Sequence, residues 1–163
     1  MNFPGLEPAW NAWQGLRRSL GIAPTWDLER CRQAVREEGA GVLVVASTAL
    51  GDTVLCTPLL ELLSRELGPD RVTFLVREPY RGLYADDPRL GQVLTVRGKF
   101  RGLEELSRGL EKRSPPAKIA LIANCSEPDL VPWLQCCGLR GFLRYPTRWS
   151  HWAGWFANRD AMR

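Results

Sequence analysis

The sequence is poor in the side chains that build metal and redox centres. It contains one histidine, His151, and two methionines. Its five cysteines are irregularly spaced and include no CxxC pair: Cys31, Cys56, Cys125, Cys136 and Cys137. Zinc sites need regularly spaced cysteines and histidines, so we predict no metal and no other cofactor. We expect the thiols to be reduced and mostly buried, as in a cytosolic protein.

Long apolar runs are missing as well. No stretch approaches the ~20 consecutive apolar residues that a membrane-spanning helix requires. The first residues, MNFPGLEPAWNAW, lack the basic region followed by an apolar core that marks a secretory signal. Together these absences predict a cytoplasmic protein.

The charge balance is mildly basic, with 22 Lys and Arg against 18 Asp and Glu and a net charge of +4. The basic residues are spread along the chain rather than gathered in a stripe, and no nucleic-acid-binding motif is present. We therefore exclude nucleic acid as the expected partner. A nucleotide, a phosphorylated glycolipid or a membrane surface fits this charge better.

Apolar segments of strand length alternate with amphipathic segments from residue 42 onward. The pattern predicts strands over 42–46, 71–76, 92–96, 118–122 and 141–145. It predicts helices over 54–67, 103–110 and 130–137, with a short helix or loop over 79–84. Such alternation is typical of an α/β, Rossmann-like fold with a parallel sheet of four or five strands and helices on both faces. The first strand is apolar throughout, so we expect it at the centre of the sheet.

The two ends of the chain differ from this central part. Helical spacing of Trp10, Trp13, Leu16 and Leu20 predicts an amphipathic helix, and Asp27 is suited to cap a second helix that runs to Glu38. We interpret 1–40 as a helical extension, 41–148 as the Rossmann-like domain and 149–163 as an aromatic tail.

The tail is basic and aromatic: Arg144, Arg148, Trp149, Trp152, Trp155 and Phe156. Three interpretations remain open for it. The tail could pack on a second domain, pack on this domain, or lie on an anionic membrane, where Trp and Arg both occur. We interpret His151, which lies among these aromatic residues, as structural.

The loop after the first strand is the most informative segment for function. Ligands of open parallel sheets bind beyond the carboxyl ends of the strands, and this loop runs from Ser47 through Thr48 to Asp52 and Thr53. Gly51 could adopt a backbone conformation that other residues resist, or let a substrate approach closely. Asp52 could be a helix N-cap, or a general base that takes a proton from an acceptor hydroxyl. The loop is neither GxGxxG nor GxxxxGK[ST].

Polar residues also follow the second and fourth strands. Arg77, Glu78, Tyr80 and Arg81 could form a polar wall around a phosphorylated sugar, or a solvated turn with a surface ion pair. After the fourth strand, Asn124, Ser126 and Glu127 could bind sugar hydroxyls or cap the next helix.

Three segments in a fixed order resemble the opening of the heptosyltransferase family of glycosyltransferases. They are Val42-Leu43-Val44-Val45, Ala49-Leu50-Gly51-Asp52-Thr53-Val54-Leu55 and Thr57-Pro58-Leu59-Leu60. The continuation agrees, because 71–77 is similar to that family's second strand and Asp87-Pro88 precedes Gln92-Val93-Leu94 as in its third. The resemblance covers about residues 41–150.

This resemblance implies the N-terminal half of a two-domain GT-B glycosyltransferase. In that family the N-terminal domain binds a lipopolysaccharide-core glycolipid, and the C-terminal domain binds a nucleotide-sugar, commonly ADP-heptose. Transfer inverts the anomeric carbon and needs no metal. The family's base maps onto Asp52, and contacts to the acceptor are expected from Ser47, Thr48, Gly51, Thr53, Arg77 and Asn124.

Two departures from the family pattern qualify this expectation. Family members carry a basic residue at the end of the first strand, where this chain has Ala46, although Arg77 or Arg97 could replace it. The chain also stops at Arg163, before a second domain. We therefore expect a fragment, a truncated product or a half-protein that is inactive alone and meets a nucleotide-sugar only when a C-terminal domain is supplied.

Other functions stay open at this stage. The chain could be a non-catalytic module that recognises an anionic glycolipid or a nucleotide, or an unrelated Rossmann-like nucleotide-binding protein. Peripheral contact with the inner membrane would be compatible with a glycolipid acceptor.

Overall fold

A computed structural model describes residues 19, 26–97, 103–125 and 130–144. Apart from Ser19, the predicted helix over residues 10–20 lies outside the described residues. The predicted aromatic tail over 149–163 lies outside them too, as do Ser126 and Glu127.

Five parallel strands form one sheet, in the order β3-β2-β1-β4-β5. The strands are β1 (Gly41–Ala46), β2 (Val72–Arg77), β3 (Gln92–Val96), β4 (Ala117–Asn124) and β5 (Gly141–Arg144). All six residues of β1 are buried, because both edges of this strand are paired and both faces are covered. The predicted Rossmann-like parallel sheet with a central first strand is confirmed.

Five helices accompany the sheet in the described part of the chain. They are α1 (Leu28–Arg36), α2 (Leu50–Leu55), α3 (Thr57–Leu67), α4 (Leu103–Glu111) and α5 (Leu130–Cys136). Short 3-10 turns occupy Pro69–Arg71 and Glu78–Leu83. The second of these turns lies in the segment 79–84, for which the sequence predicted a short helix or a loop.

Each face of the sheet carries its own apolar core. Alternate residues of a strand point to opposite faces, so Leu43 and Val45 of β1 join one cluster with Leu106 of α4 and Leu134 of α5. Val44 belongs to a second cluster on the other face. That cluster includes Leu60 of α3, together with Phe74 and Tyr84, whose rings meet edge to face at 4.9 Å. Helices on both faces agree with the prediction.

The helix α1 forms part of the packed structure. The side chain of Asp27 accepts a hydrogen bond from the amide of Arg30 at 2.7 Å, which confirms the predicted N-cap. Two residues of this helix, Cys31 and Ala34, are buried. The amide of Trp26 donates to the carbonyl of Arg140 at 2.8 Å. Residues 26–40 of the predicted extension therefore pack against the sheet, whereas the boundary at residue 41 stays a prediction.

The helix predicted over 54–67 differs from the structure in two ways. It begins earlier, at Leu50, and it is divided at Cys56 into α2 and α3. Pro58 lies in the first turn of α3 and has no N–H to donate to the carbonyl of Val54 four residues earlier. Proline tolerates the start of a helix but interrupts its interior. This division turns α2 into a separate short helix beside the carboxyl edge of β1.

Candidate functional site

The sheet places the loop after β1 beside the end of β4. The chain leaves β1 toward β2 on one side and later returns to β4 on the other, which is the switch point where such folds open a crevice. The amide of Ser47 donates to the carbonyl of Asn124 at 2.9 Å, so these two predicted site residues lie together. Asn124 is half-buried, whereas Ser47 is fully buried. Full burial is at odds with the predicted contact between Ser47 and an acceptor.

Asp52 lies in the first turn of α2 rather than at its N-cap. Ala49 occupies the cap position and makes no side-chain capping bond. The Thr48 hydroxyl donates to Oδ2 of Asp52 at 2.7 Å, and both side chains are half-buried. Among the described residues, Thr48 supplies the one side-chain hydrogen bond to this carboxylate. The capping interpretation of Asp52 is therefore wrong, and its carboxylate is half-buried beyond the carboxyl end of β1.

Thr53 stabilises the loop after β1 through hydrogen bonds. It is fully buried, and its hydroxyl donates to the carbonyl of Ala49 at 3.0 Å. Its own carbonyl accepts a hydrogen bond from the Tyr84 hydroxyl at 3.2 Å. These bonds give Thr53 a structural role in place of the predicted acceptor contact. Tyr84 was missed by the sequence reasoning, because a single aromatic residue after a 3-10 turn carries no periodic signal.

Gly51 is exposed within α2. A side chain placed at this position would meet no protein atom within 4 Å. The sequence left two roles open for Gly51, and the one that needs an unusual backbone conformation is wrong, since the residue is helical. Glycine weakens a helix by about 1 kcal/mol relative to alanine, so the residue is unfavourable for local stability. The role that remains compatible with the structure is that Gly51 leaves open space beside Asp52.

Arg77 brings a positive charge to the same edge. Ala46 pairs with Val76 in the β1–β2 register, so Ser47, which follows β1, lies beside Arg77, the last residue of β2. Arg77 is half-buried, and no carboxylate among the described residues lies within ion-pair distance of it.

The other candidate cation, Arg97, is already neutralised. Its guanidinium lies 2.9 Å from Glu78 and 3.9 Å from Glu105. The sequence left open a surface ion pair within the turn after β2. Glu78 does make an ion pair, but its partner is Arg97 at the end of β3 rather than Arg77 or Arg81.

The thiol beside the site is unsuited to act as a nucleophile. Cys56 is buried and donates to the carbonyl of Asp52 at 3.3 Å. Burial raises the pKa of the Cys56 thiol, and the negative charge of Asp52 raises it further. All five cysteines are free, and three of them are buried. Burial also raises the pKa of Cys31, to about 11.

A shallow depression of about 530 Å³ lies beside α3, between Glu61 and the segment from Gly82 to Arg89. The charged side chains that line this depression form ion pairs with each other. Arg89 lies 2.6 Å from Asp87 and 3.5 Å from Glu61. The hydrogen bond from Arg89 holds the pKa of Asp87 below its usual value.

Two further features are absent from the described residues. Within them, no group of three or more His, Cys, Asp or Glu side chains could hold a metal ion. None of their helices has the length and apolar character needed to cross a bilayer.

Comparisons with known proteins give one structural likeness. No protein-family model matches the chain, and no curated protein matches it. The chain is similar to the crystal structure of the glycosyl transferase family 9 protein from Veillonella parvula DSM 2008, at 22% identity and a TM-score of 0.43. The similarity covers 72% of this chain and 29% of that one. The chain thus spans less than a third of the length of that protein.

Proposed function

We propose that this chain is the acceptor-side part of an inverting glycosyltransferase that transfers heptose or a related sugar to lipopolysaccharide core. The observation that carries the proposal is the Asp52 carboxylate. It lies in the first turn of α2 at the switch-point crevice, with one neutral hydrogen-bond partner, Thr48. The sequence around it resembles the segment in which heptosyltransferases carry their base.

The chemistry assigned to Asp52 is proton acceptance. A hydroxyl of the acceptor sugar attacks the anomeric carbon of the nucleotide-sugar, and its proton passes to the carboxylate. The new bond joins the acceptor oxygen to the anomeric carbon. The bond from that carbon to the nucleotide diphosphate breaks, and the diphosphate leaves with the electron pair. Attack from the opposite face inverts the configuration.

The remaining residues of the crevice suit an anionic sugar acceptor. Arg77 carries a positive charge without a carboxylate partner among the described residues. An arginine can form two parallel hydrogen bonds to a phosphate group. Asn124 is half-buried at the end of β4, and its amide offers a donor and an acceptor to sugar hydroxyls. Gly51 leaves open space next to the base.

The proposal is tested by sugar transfer in a protein that joins this chain to a donor-binding domain. Deacylated lipopolysaccharide core is the acceptor, and ADP-heptose is the donor. We expect a glycosylated product of inverted configuration, identified by mass spectrometry and by NMR of the anomeric proton. A product of retained configuration would contradict the proposal. So would the absence of both transfer and acceptor binding.

A further inference from the structure

The hydrogen bond between Thr48 and Asp52 joins the end of the β1 loop to the first turn of α2. The hydroxyl of Thr48 lies 2.7 Å from Oδ2 of Asp52, a distance typical of a hydroxyl that donates to a charged carboxylate. Both side chains are half-buried, so water competes less with this bond than it would at an exposed site. The bond can therefore restrain the orientation of the carboxylate.

The two oxygens of the Asp52 carboxylate are in different surroundings. Oδ2 accepts the bond from Thr48, whereas Oδ1 accepts no hydrogen bond from any described residue. Oδ1 is also not one of the buried polar atoms that lack a partner in the described part of the chain, so it has contact with solvent. Either oxygen of an ionised carboxylate can accept a proton, but here Oδ1 is the one that remains accessible.

Neighbouring side chains do little to fix this orientation in place of Thr48. The last torsion of an aspartate side chain has broad, roughly two-fold minima, so the carboxylate turns easily unless a partner holds it. Gly51, the preceding residue, has no side chain that could restrain it. Loss of the Thr48 hydroxyl would therefore leave Asp52 in place but free to rotate.

The Thr48 donor is itself held firmly. Threonine is branched at Cβ, which restricts its first side-chain torsion. The backbone on both sides of Thr48 is tied to Thr53, whose hydroxyl lies 3.0 Å from the carbonyl of Ala49 and 3.4 Å from that of Ala46. The Thr53 amide also donates to the carbonyl of Ala49, at 3.1 Å. The residue that fixes the loop thus directly follows Asp52 in the chain.

We infer that Thr48 is a positioning residue for the proposed base, an inference that rests on the proposed function of Asp52. The Thr48 hydroxyl holds Oδ2, so Oδ1 points outward and accepts the proton of the attacking acceptor hydroxyl. Proton transfer requires the base within hydrogen-bond distance of that hydroxyl, and small misplacements of a reacting group slow the chemical step. Thr48 therefore acts on the rate of transfer rather than on binding of the acceptor.

The test compares Thr48→Val with Thr48→Ser in the protein joined to a donor-binding domain. Valine has the shape of threonine without its hydroxyl, so kcat should fall by about tenfold or more while KM for deacylated lipopolysaccharide core stays within about twofold. Serine keeps the hydroxyl, so kcat should stay within about threefold of the wild type. Melting temperatures are recorded for each variant. Thr48→Ala gives the same comparison if the valine variant does not fold.

Thr57 provides a matched control. It is a half-buried threonine at the start of α3, and its hydroxyl makes no hydrogen bond within the described ranges. Thr57→Val makes the same chemical change one short helix away from Thr48. It should leave both kcat and KM within about twofold of the wild type.

A double-mutant cycle separates positioning from a general loosening of the loop. In the Asp52→Asn background, Thr48→Val should cause no further loss of kcat, because no base remains to be positioned. A loss caused by a damaged loop would instead appear equally with and without Asp52→Asn. The full chain alone adds a measurement that needs no transfer: Thr48→Val should bind deacylated lipopolysaccharide core within about twofold of the wild type by calorimetric titration.

Three results would overturn the inference. They are a wild-type kcat in Thr48→Val, a rise in KM or weaker acceptor binding with kcat unchanged, and equal losses with and without Asp52→Asn. The second of these would show that Thr48 contacts the acceptor, as the sequence predicted. An inactive Asp52→Asn variant together with a fully active Thr48→Val variant removes this inference alone. Near-normal transfer by Asp52→Asn removes the proposed role of Asp52 itself.

Discussion

Two half-buried aspartates are held in opposite ways. Asp87 receives two guanidinium hydrogen bonds from Arg89, at 2.8 and 2.6 Å, and a third bond from the Arg89 amide at 3.0 Å. Asp52 receives one hydrogen bond from the neutral hydroxyl of Thr48. Asp87 is thus neutralised inside the protein, whereas the charge of Asp52 is left for an external partner.

Two arginines, Arg77 and Arg97, differ in the same way. Arg97 is paired with Glu78 at 2.9 Å, while Arg77, at the end of the neighbouring strand, has no carboxylate partner among the described residues. A compensated charge stabilises the fold, and an uncompensated one next to a crevice is available for chemistry or binding. The charges therefore separate a structural region around Asp87 from the candidate site around Asp52.

The largest effect is expected at Asp52. We expect Asp52→Asn to lower the transfer rate by ~100-fold or more in the protein joined to a donor-binding domain, because it removes the proton acceptor. The melting temperature should change little, since Asp52 does not cap α2 and asparagine can still accept a bond from Thr48. Transfer rate and melting temperature are measured together. Near-normal transfer would remove the distinction between the two aspartates.

Arg77 and Arg97 offer a matched pair for the next effect. Arg77→Ala should weaken binding of deacylated lipopolysaccharide core by about tenfold, a loss typical of one charged hydrogen-bonding group. Arg97→Ala removes an arginine that is already paired and should leave acceptor binding within about twofold of the wild type. Calorimetric titration of both variants gives the comparison, and equal losses would contradict the assignment of Arg77.

The smallest effect concerns stability at Asp87. At neutral pH, Asp87→Asn should lower the free energy of unfolding by about 1–2 kcal/mol, because it weakens charged hydrogen bonds to Arg89. Arg89 lowers the pKa of Asp87 in the folded state. The stabilisation is therefore present above the unfolded-state pKa, about 3.9, and is lost as the pH falls through the lower folded-state value.

Denaturant unfolding at neutral pH and at acid pH checks this expectation. The difference between wild type and Asp87→Asn should shrink below about pH 4. Binding of the acceptor should stay unchanged in the variant, since Asp87 lies outside the proposed site. A difference that grows on acidification would show that Arg89 does not stabilise the charged form of Asp87.

Much of the fold could be predicted because its signals are local. The run of apolar residues from Val42 identifies a strand buried on both faces, and Asp27 caps α1 as its position suggests. The division of the next helix at Cys56 was missed. Its signal, Pro58, was present in the sequence, but the apolar periodicity continues across the break.

The candidate site was predicted less completely than the fold. Sequence order placed Ser47, Asp52, Arg77 and Asn124 after strands that end at the same edge of a parallel sheet, and the structure brings Ser47 into contact with Asn124. The sequence did not reveal which side chains, distant from each other in the chain, would pair in the folded protein. The ion pair from Glu78 to Arg97 and the bond from Tyr84 to Thr53 both depend on the tertiary arrangement of loops.

The position of β1 at the centre of the sheet also bears on the order of folding. Val42 pairs with Val72, about 30 residues away, on one side and with Ile119, about 75 residues away, on the other. Closing the longer loop costs more chain entropy, so we expect β4 to pair with β1 after β2 has done so. The Ser47–Asn124 contact would then form after Asp52 and Arg77 are already held at the ends of β1 and β2.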